Sequence, residues 1–252
     1  MPELFRVEDL SHTFRDGTEA LRNINLSIKD GEFLLVAGRN GSGKTLLARH
    51  LVGISKPTKG SILFRGAHLP GCVKELRKTV GFVFQDTDSQ ILGQTVAEDV
   101  AFGPSNLRLS PSEIRQRAET ALEEARLSGM EERRPESLSG GEKRRLAIAG
   151  VLAMRPECVI LDEPFANLDF ESVQDIARIC RDLGKSGITL IIVTHELEKI
   201  FPQADRLLIL DKGRVCFDDA PSAAEPGLFA AHGLACPYEG HFPWVCPRGQ
   251  LP

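Results

Sequence analysis

No run of eighteen apolar residues occurs in this chain of 252, so nothing in it reads as a bilayer-spanning helix. Its start, Met1-Pro2-Glu3-Leu4-Phe5-Arg6, lacks a basic region followed by an apolar stretch, and no secretion signal is expected. Basic residues are not in excess. Lys and Arg number 31 against 35 Asp and Glu, a net charge of −4, which argues against nucleic-acid binding as the main task. The cysteines at 72, 158, 180, 216, 236 and 246 show no short paired spacing, so neither a disulfide framework nor a zinc-ligand pair is expected. Cys158 and Cys216 sit in apolar runs and read as reduced core thiols. Internal repeats, low-complexity tracts and heptads are lacking too. The single tyrosine, Tyr238, and the single tryptophan, Trp244, both fall near the end.

What is present suffices for a large core. Hydrophobic residues make up 42% of the chain, which suits one α/β domain or a domain with an inserted subdomain. Residues 4–10 and Ile24-Asn25-Leu26-Ser27-Ile28 alternate as half-buried strands of an N-terminal antiparallel sheet. Phe33-Leu34-Leu35-Val36-Ala37, Val80-Gly81-Phe82-Val83-Phe84, Val159-Ile160-Leu161-Asp162 and Leu190-Ile191-Ile192-Val193-Thr194 are apolar runs of the kind found in buried parallel strands. Helices are expected from Leu46 to Gly53, from Ser110-Pro111-Ser112-Glu113 onward, from Glu142 to Ala153 and near 171–184. Asp211-Lys212-Gly213 reads as the turn of a hairpin. The expected architecture is therefore a mainly parallel α/β sheet with an N-terminal antiparallel β-subdomain and a helical subdomain inserted at about 87–138. Residues 1–219 form the main domain, and the proline-rich tail at 220–252 serves docking or dimer contact.

Gly38-Arg39-Asn40-Gly41-Ser42-Gly43-Lys44-Thr45 fits G-x-x-x-x-G-K-[ST] between a strand and a helix, the context a phosphate-binding loop requires. Glycines let successive N–H groups turn around an anion, and the helix directs its positive end at the phosphates. Lys44 supplies charge to the β- and γ-phosphates, and Thr45 a hydroxyl to Mg²⁺, with Leu46 following in the helix. At the end of the strand 159–162, Asp162 is placed to hold Mg²⁺ and Glu163 to orient or deprotonate a water. Together these residues define a P-loop NTPase and no narrower class.

Leu138-Ser139-Gly140-Gly141-Glu142 narrows the class. With it the chain resembles the ATP-binding-cassette family over nearly its whole length. The resemblance implies that Ser139, Gly140, Gly141 and Glu142 cap the γ-phosphate held by a second subunit in a head-to-tail pair. It implies that Gln85 reaches Mg²⁺ and the water, that His195 contacts the γ-phosphate, that Asn167-Leu168-Asp169 forms a dimer contact and that Phe14 stacks on adenine. Phe165, Asn167 and Phe170 depart from the family pattern, and Glu142 replaces a common glutamine at a helix start where negative charge is favourable.

Residues Val83 to Ile91, with Gln90 as a second glutamine, and Thr95 to Gly103 look like the energy-coupling-factor ATPases of prokaryotic vitamin and transition-metal uptake. Leu146 to Met154 fits the same group. That resemblance implies a peripheral ATPase on the cytoplasmic face of the membrane, working with a second ATPase subunit, identical or sibling. A membrane coupling protein and a substrate-binding membrane subunit complete the set, the groove around residues 86–103 receiving the partner's helices. Two other readings remain: a soluble cassette ATPase acting in DNA repair, chromosome handling or translation, and an ATP-binding regulator without turnover. In the tail, His232, Cys236, His241 and Cys246 could suit a metal, but the prolines and aromatics there suit packing or docking better.

Overall fold

The computed structural model describes residues 2–237. Strands β1 (Glu3–Thr13) and β2 (Glu19–Lys29) pair antiparallel, and the central strand β3 (Phe33–Ala37) leads through the glycine-rich loop into helix α1 (Lys44–Leu51). β4 (Lys59–Phe64) and the short β5 (Ala67–His68) join the first sheet in the order β2-β1-β4-β5. Helix α2 (Val73–Thr79) and strand β6 (Val80–Val83) follow. Three helices come next, α3 (Val96–Ser105), α4 (Pro111–Glu124) and α5 (Gly140–Leu152). Then come β7 (Cys158–Asp162), α6 (Phe170–Lys185), β8 (Thr189–Thr194), the hairpin β9 (Arg206–Asp211) and β10 (Arg214–Asp219), and a one-turn helix α7 (Pro226–Ala231).

The second sheet runs β10-β9-β3-β8-β7-β6, parallel throughout except for the β9–β10 hairpin. Its three middle strands, β3, β8 and β7, are buried at every residue, which explains their unbroken apolar runs. Alternation along β3 divides the core. Phe33, Leu35 and Ala37 join the cluster beneath α3–α6, while Leu34 and Val36 join the one beneath α1 and the antiparallel sheet.

Local chemistry sets the helix ends. Ser110 accepts a hydrogen bond from the Glu113 amide, with Pro111 in the first turn, as the sequence indicates. Thr95 caps α3 in the same way, through the Glu98 amide. Residues 87–138 hold α3 and α4 and, among the described residues, no strand, as an inserted helical region would.

Three expectations need correction. Val80–Phe84 was expected to be a fully buried strand, yet β6 is the edge strand, and Gly81 and Phe82 are half-buried. Cys158 is a core thiol and so is Cys180, but Cys216 is exposed, because it lies on the outer face of the edge strand β10. Helix α1 also begins two residues earlier than expected, bringing Lys44 into its first turn. The near part of the tail packs on its own core. Phe229 is fully buried with its ring 5.7 Å from that of Phe201, and Leu234 is buried beside them. Tyr238, His241, Trp244 and Cys246 lie outside the described residues.

Candidate nucleotide site

The loop between β3 and α1 is shaped by backbone that only glycine holds. Gly38 has φ 150° and Gly43 φ 105°. A Cβ on Gly38 would stand 2.3 Å from the Leu210 carbonyl oxygen, and one on Gly43 2.7 Å from Leu21. Gly43 caps α1 without a side-chain hydrogen bond, so no side chain occupies the helix's first amides. The Ser42 hydroxyl is buried and has no partner among the described residues, although it lies within the loop. Anion-binding backbone with an unsatisfied hydroxyl inside it fits a phosphate.

Lys44 is buried in the first turn of α1. Its ammonium donates to the carbonyls of Gly38 at 2.7 Å and Arg39 at 3.2 Å, and lies 3.5 Å from Glu163. Burial pulls its pKa down and the Glu163 carboxylate pulls it back up. Thr45 donates to Asp162 at 2.9 Å. Burial raises the Asp162 pKa, opposed by that hydroxyl. A hydroxyl beside a carboxylate at the end of a parallel strand is the oxygen donor set that suits Mg²⁺.

Glu163 follows β7 at φ 47° and is buried. Its carboxylate accepts from the Thr194 hydroxyl at 3.0 Å, the His195 Nδ1–H at 3.0 Å and the His195 amide at 3.4 Å. The carboxylate can only accept, so Nδ1 carries the proton of His195. β7 and β8 are adjacent parallel strands, which is why residues at 163 and 195 end side by side.

A cleft of about 640 Å³ gathers Phe14, Asn40, Gly41, Gly43, Lys44, Thr45, Leu46, Gln85, Glu163 and His195. Gly38 and Ser42 lie in the loop behind it, and Asp162 meets it through Thr45. Arg39 lines a neighbouring recess with Asn40, His195 and Gly233. Phe14 is about half exposed and stands edge-on to His12, with ring centroids 4.9 Å apart.

Ser139, Gly140, Gly141 and Glu142 do not line this cleft. Ser139 and Gly140 are exposed at the start of α5. Ser139 and Glu142 form a reciprocal capping box, at 3.2 Å and 2.6 Å, and Glu142 also pairs with Arg133. The Ser139 amide holds the Glu142 pKa below its usual value. Gly141 lies against α6, and Asp169 caps that helix through the Ser172 amide at 2.9 Å.

Sequence reasoning gave no place in the site to His12, Arg49 or Arg144, and marked Gln90 only as a second glutamine. His12 and Arg49 line the cleft. Arg144 is buried on α5 and donates to the Phe84 carbonyl at 3.0 Å, just before Gln85. The Gln90 side chain serves the same loop, accepting from the Phe84 amide at 3.0 Å and donating to the Phe82 carbonyl at 3.2 Å. It thereby stands in for a strand partner along the open edge of β6. No short motif marks Arg144, whose partner is sixty residues away in sequence.

The fold and this site define a P-loop nucleotide-binding ATPase domain. An ABC transporter family model matches residues 21–166. A putative ABC transporter ATP-binding protein of Methanosarcina mazei is 45% identical over 229 residues, 89% of this chain and 83% of that protein. The energy-coupling factor transporter ATP-binding protein EcfA of Methanothermobacter thermautotrophicus is 44% identical over 86% of this chain and 71% of its own length. Among solved structures, cbiO1 of Clostridium perfringens, part of the ABC transporter complex cbiONQ, superposes with a TM-score of 0.82 at 38% identity, covering 88% of this chain and 90% of that one. A dimeric cassette bound to ADP and Pi, MJ0796, gives 0.78 at 29% identity, covering 86% and 99%. The chain belongs to the ABC transporter ATP-binding family.

Proposed function

We propose that this chain is the ATP-hydrolysing subunit of an energy-coupling-factor type importer, held at the membrane by partner subunits. The observation that carries the catalytic part is Glu163, gripped by Thr194 and His195 on one side and facing Lys44 across the floor of the cleft. Glu163 orients the attacking water and takes its proton. Lys44 leaves the Gly38 and Arg39 carbonyls for the β- and γ-phosphates. His195 and Gln85 position the γ-phosphate and the water, and Phe14 stacks on the base. Thr45, Asp162 and Gln85 would hold Mg²⁺, which would supply neutralisation of the phosphate charge.

The exposed Ser139 and Gly140, away from their own cleft, support a two-subunit site in which each signature loop covers the other subunit's nucleotide. ATP drives closure only by binding the closed pair better than the open one. The membrane partner has a place to dock. A groove of about 210 Å³ lies beside Gln90, Leu92, Phe102 and Met154, and the exposed Leu92 and Phe102 are large apolar side chains open to solvent. No helix among the described residues is long and apolar enough to cross a membrane, so attachment is peripheral, through such a partner. The relatives named above are transporter ATPases, and none supports the alternative of DNA repair or translation. The identity of the cargo rests with the membrane subunits.

Glu163→Gln tests the catalytic reading. The variant binds ATP, hydrolyses it at least about 100-fold more slowly and accumulates as a closed dimer. Normal turnover would remove Glu163 from the catalytic role. For the membrane reading, the chain is expressed with its membrane subunits and the membranes are washed with salt. Retention supports it, and loss of the chain to the soluble fraction overturns it.

A further inference from the structure

Outside the nucleotide cleft, three side chains of different metal-binding chemistry converge. Asp211 ends β9, Cys216 lies on the outer face of β10, and His232 follows α7. One ligand atom from each lies within 4.8 Å of the others, and His232 Nδ1 is 3.3 Å from the Asp211 carboxylate. We propose that Asp211, Cys216 and His232 form a binding site for one divalent transition-metal ion of the zinc class, with a fourth position open to water. A tetrahedral ion with bonds of about 2.0–2.3 Å places its ligand atoms roughly 3.3–3.8 Å apart, so atoms already within 4.8 Å of one another need draw together by no more than roughly 1.5 Å. A thiolate with an imidazole disfavours Mg²⁺ and Ca²⁺, which take oxygen donors, and selects a softer ion. One hairpin supplies Asp211 and Cys216, and the fold brings His232 to it from the end of α7.

The site would fasten the segment after α7 to the hairpin that buttresses the phosphate loop. The Leu210 carbonyl presses on Gly38, the Gly213 amide donates to the Ser42 carbonyl at 3.0 Å, and Gly233, next to His232, packs on Arg39. This assignment differs from a tail cluster of His232, Cys236, His241 and Cys246, since it requires Cys216 and neither of the later cysteines.

The test is Co²⁺ titration of the reduced, metal-free full chain, with excess Mg²⁺ occupying oxygen-donor sites. One equivalent is expected to bind with a thiolate-to-cobalt charge-transfer band, and Zn²⁺ should displace it. Cys216→Ser abolishes the band. His232→Ala and Asp211→Asn each weaken Zn²⁺ binding by about tenfold or more. The double variant Cys236→Ser/Cys246→Ser keeps the band. Cys216 is exposed, so its serine variant should fold, as circular dichroism would verify. A band that is absent from the wild type, survives Cys216→Ser or disappears with Cys236 and Cys246 overturns the assignment.

Discussion

The Lys44 ammonium and the Glu163 carboxylate stand 3.5 Å apart, their side chains only 5% and 6% exposed. Each is the other's countercharge while no phosphate is bound. Replacing Lys44 by Met should therefore do two things. ATP affinity should fall by about 100-fold or more, measured by calorimetry. Stability should fall by about 1–3 kcal/mol, because a buried carboxylate loses its cation. Adding Glu163→Gln should recover part of that stability, and a thermal-denaturation cycle reads the coupling. Strict additivity would show that the two charges do not support one another.

Gln90 holds the end of β6 through its side chain alone. Gln90→Leu leaves the Phe84 amide and Phe82 carbonyl without that partner and should cost about 1–2 kcal/mol. The specific signature is faster hydrogen exchange at the Phe84 amide, with β7 and β8 amides unchanged. Protection equal to wild type at Phe84 would show that Gln90 does not hold this edge.

Gly141 admits α6 to the start of the signature helix. A Cβ there would come 1.9 Å from the Ser172 hydroxyl and 2.5 Å from its Cβ. Ser172 cannot retreat freely, since its amide is bonded to Asp169. Gly141→Ala should destabilise by about 1–3 kcal/mol. Ser172→Gly removes both clashing atoms and should restore much of the loss in the double variant, measured by urea unfolding.

His50 supplies a pH dependence. It is fully buried and sits against the Ser55 carbonyl and His12, each 3.0 Å from a ring nitrogen. A carbonyl only accepts, so Nδ1 carries the proton and Nε2 accepts from His12. Burial, with the neighbouring His12, pushes the pKa of His50 down to about 4 from an ordinary value near 6.5. The unfolded chain thus binds the proton first. The stability contribution is complete above about pH 6.5 and is lost as pH falls toward 4, by at most about 3 kcal/mol. Melting temperature followed over that window should decline, and His50→Gln should flatten the decline. An unchanged slope in the variant would assign it to other groups.

Much of the fold and site was legible because its signals are local. Gly38 to Thr45 carry their own backbone geometry, Ser110 announces a helix start, and the apolar runs of β3, β7 and β8 follow from burial on both faces. Glu163 and His195 were legible as strand-end residues. The hydrogen bonds from His195 to Glu163 were not, since they depend on β7 and β8 lying side by side. Arg144 beneath Gln85, Gln90 along the β6 edge and the exposure of Cys216 were hidden for the same reason: each depends on which strand stands at a sheet edge or which helix crosses it.

The sequence by itself determined that a phosphate loop, a Walker-type carboxylate pair and an LSGG turn exist, because each needs particular residue types at fixed spacing. Tertiary structure decided that the first two share a cleft while Ser139 and Gly140 are exposed outside its lining. It also brought Asp211, Cys216 and His232 together. Pairing of distant strands and docking of helices set those distances, and only the approach of Asp211 to Cys216, within one hairpin, is local.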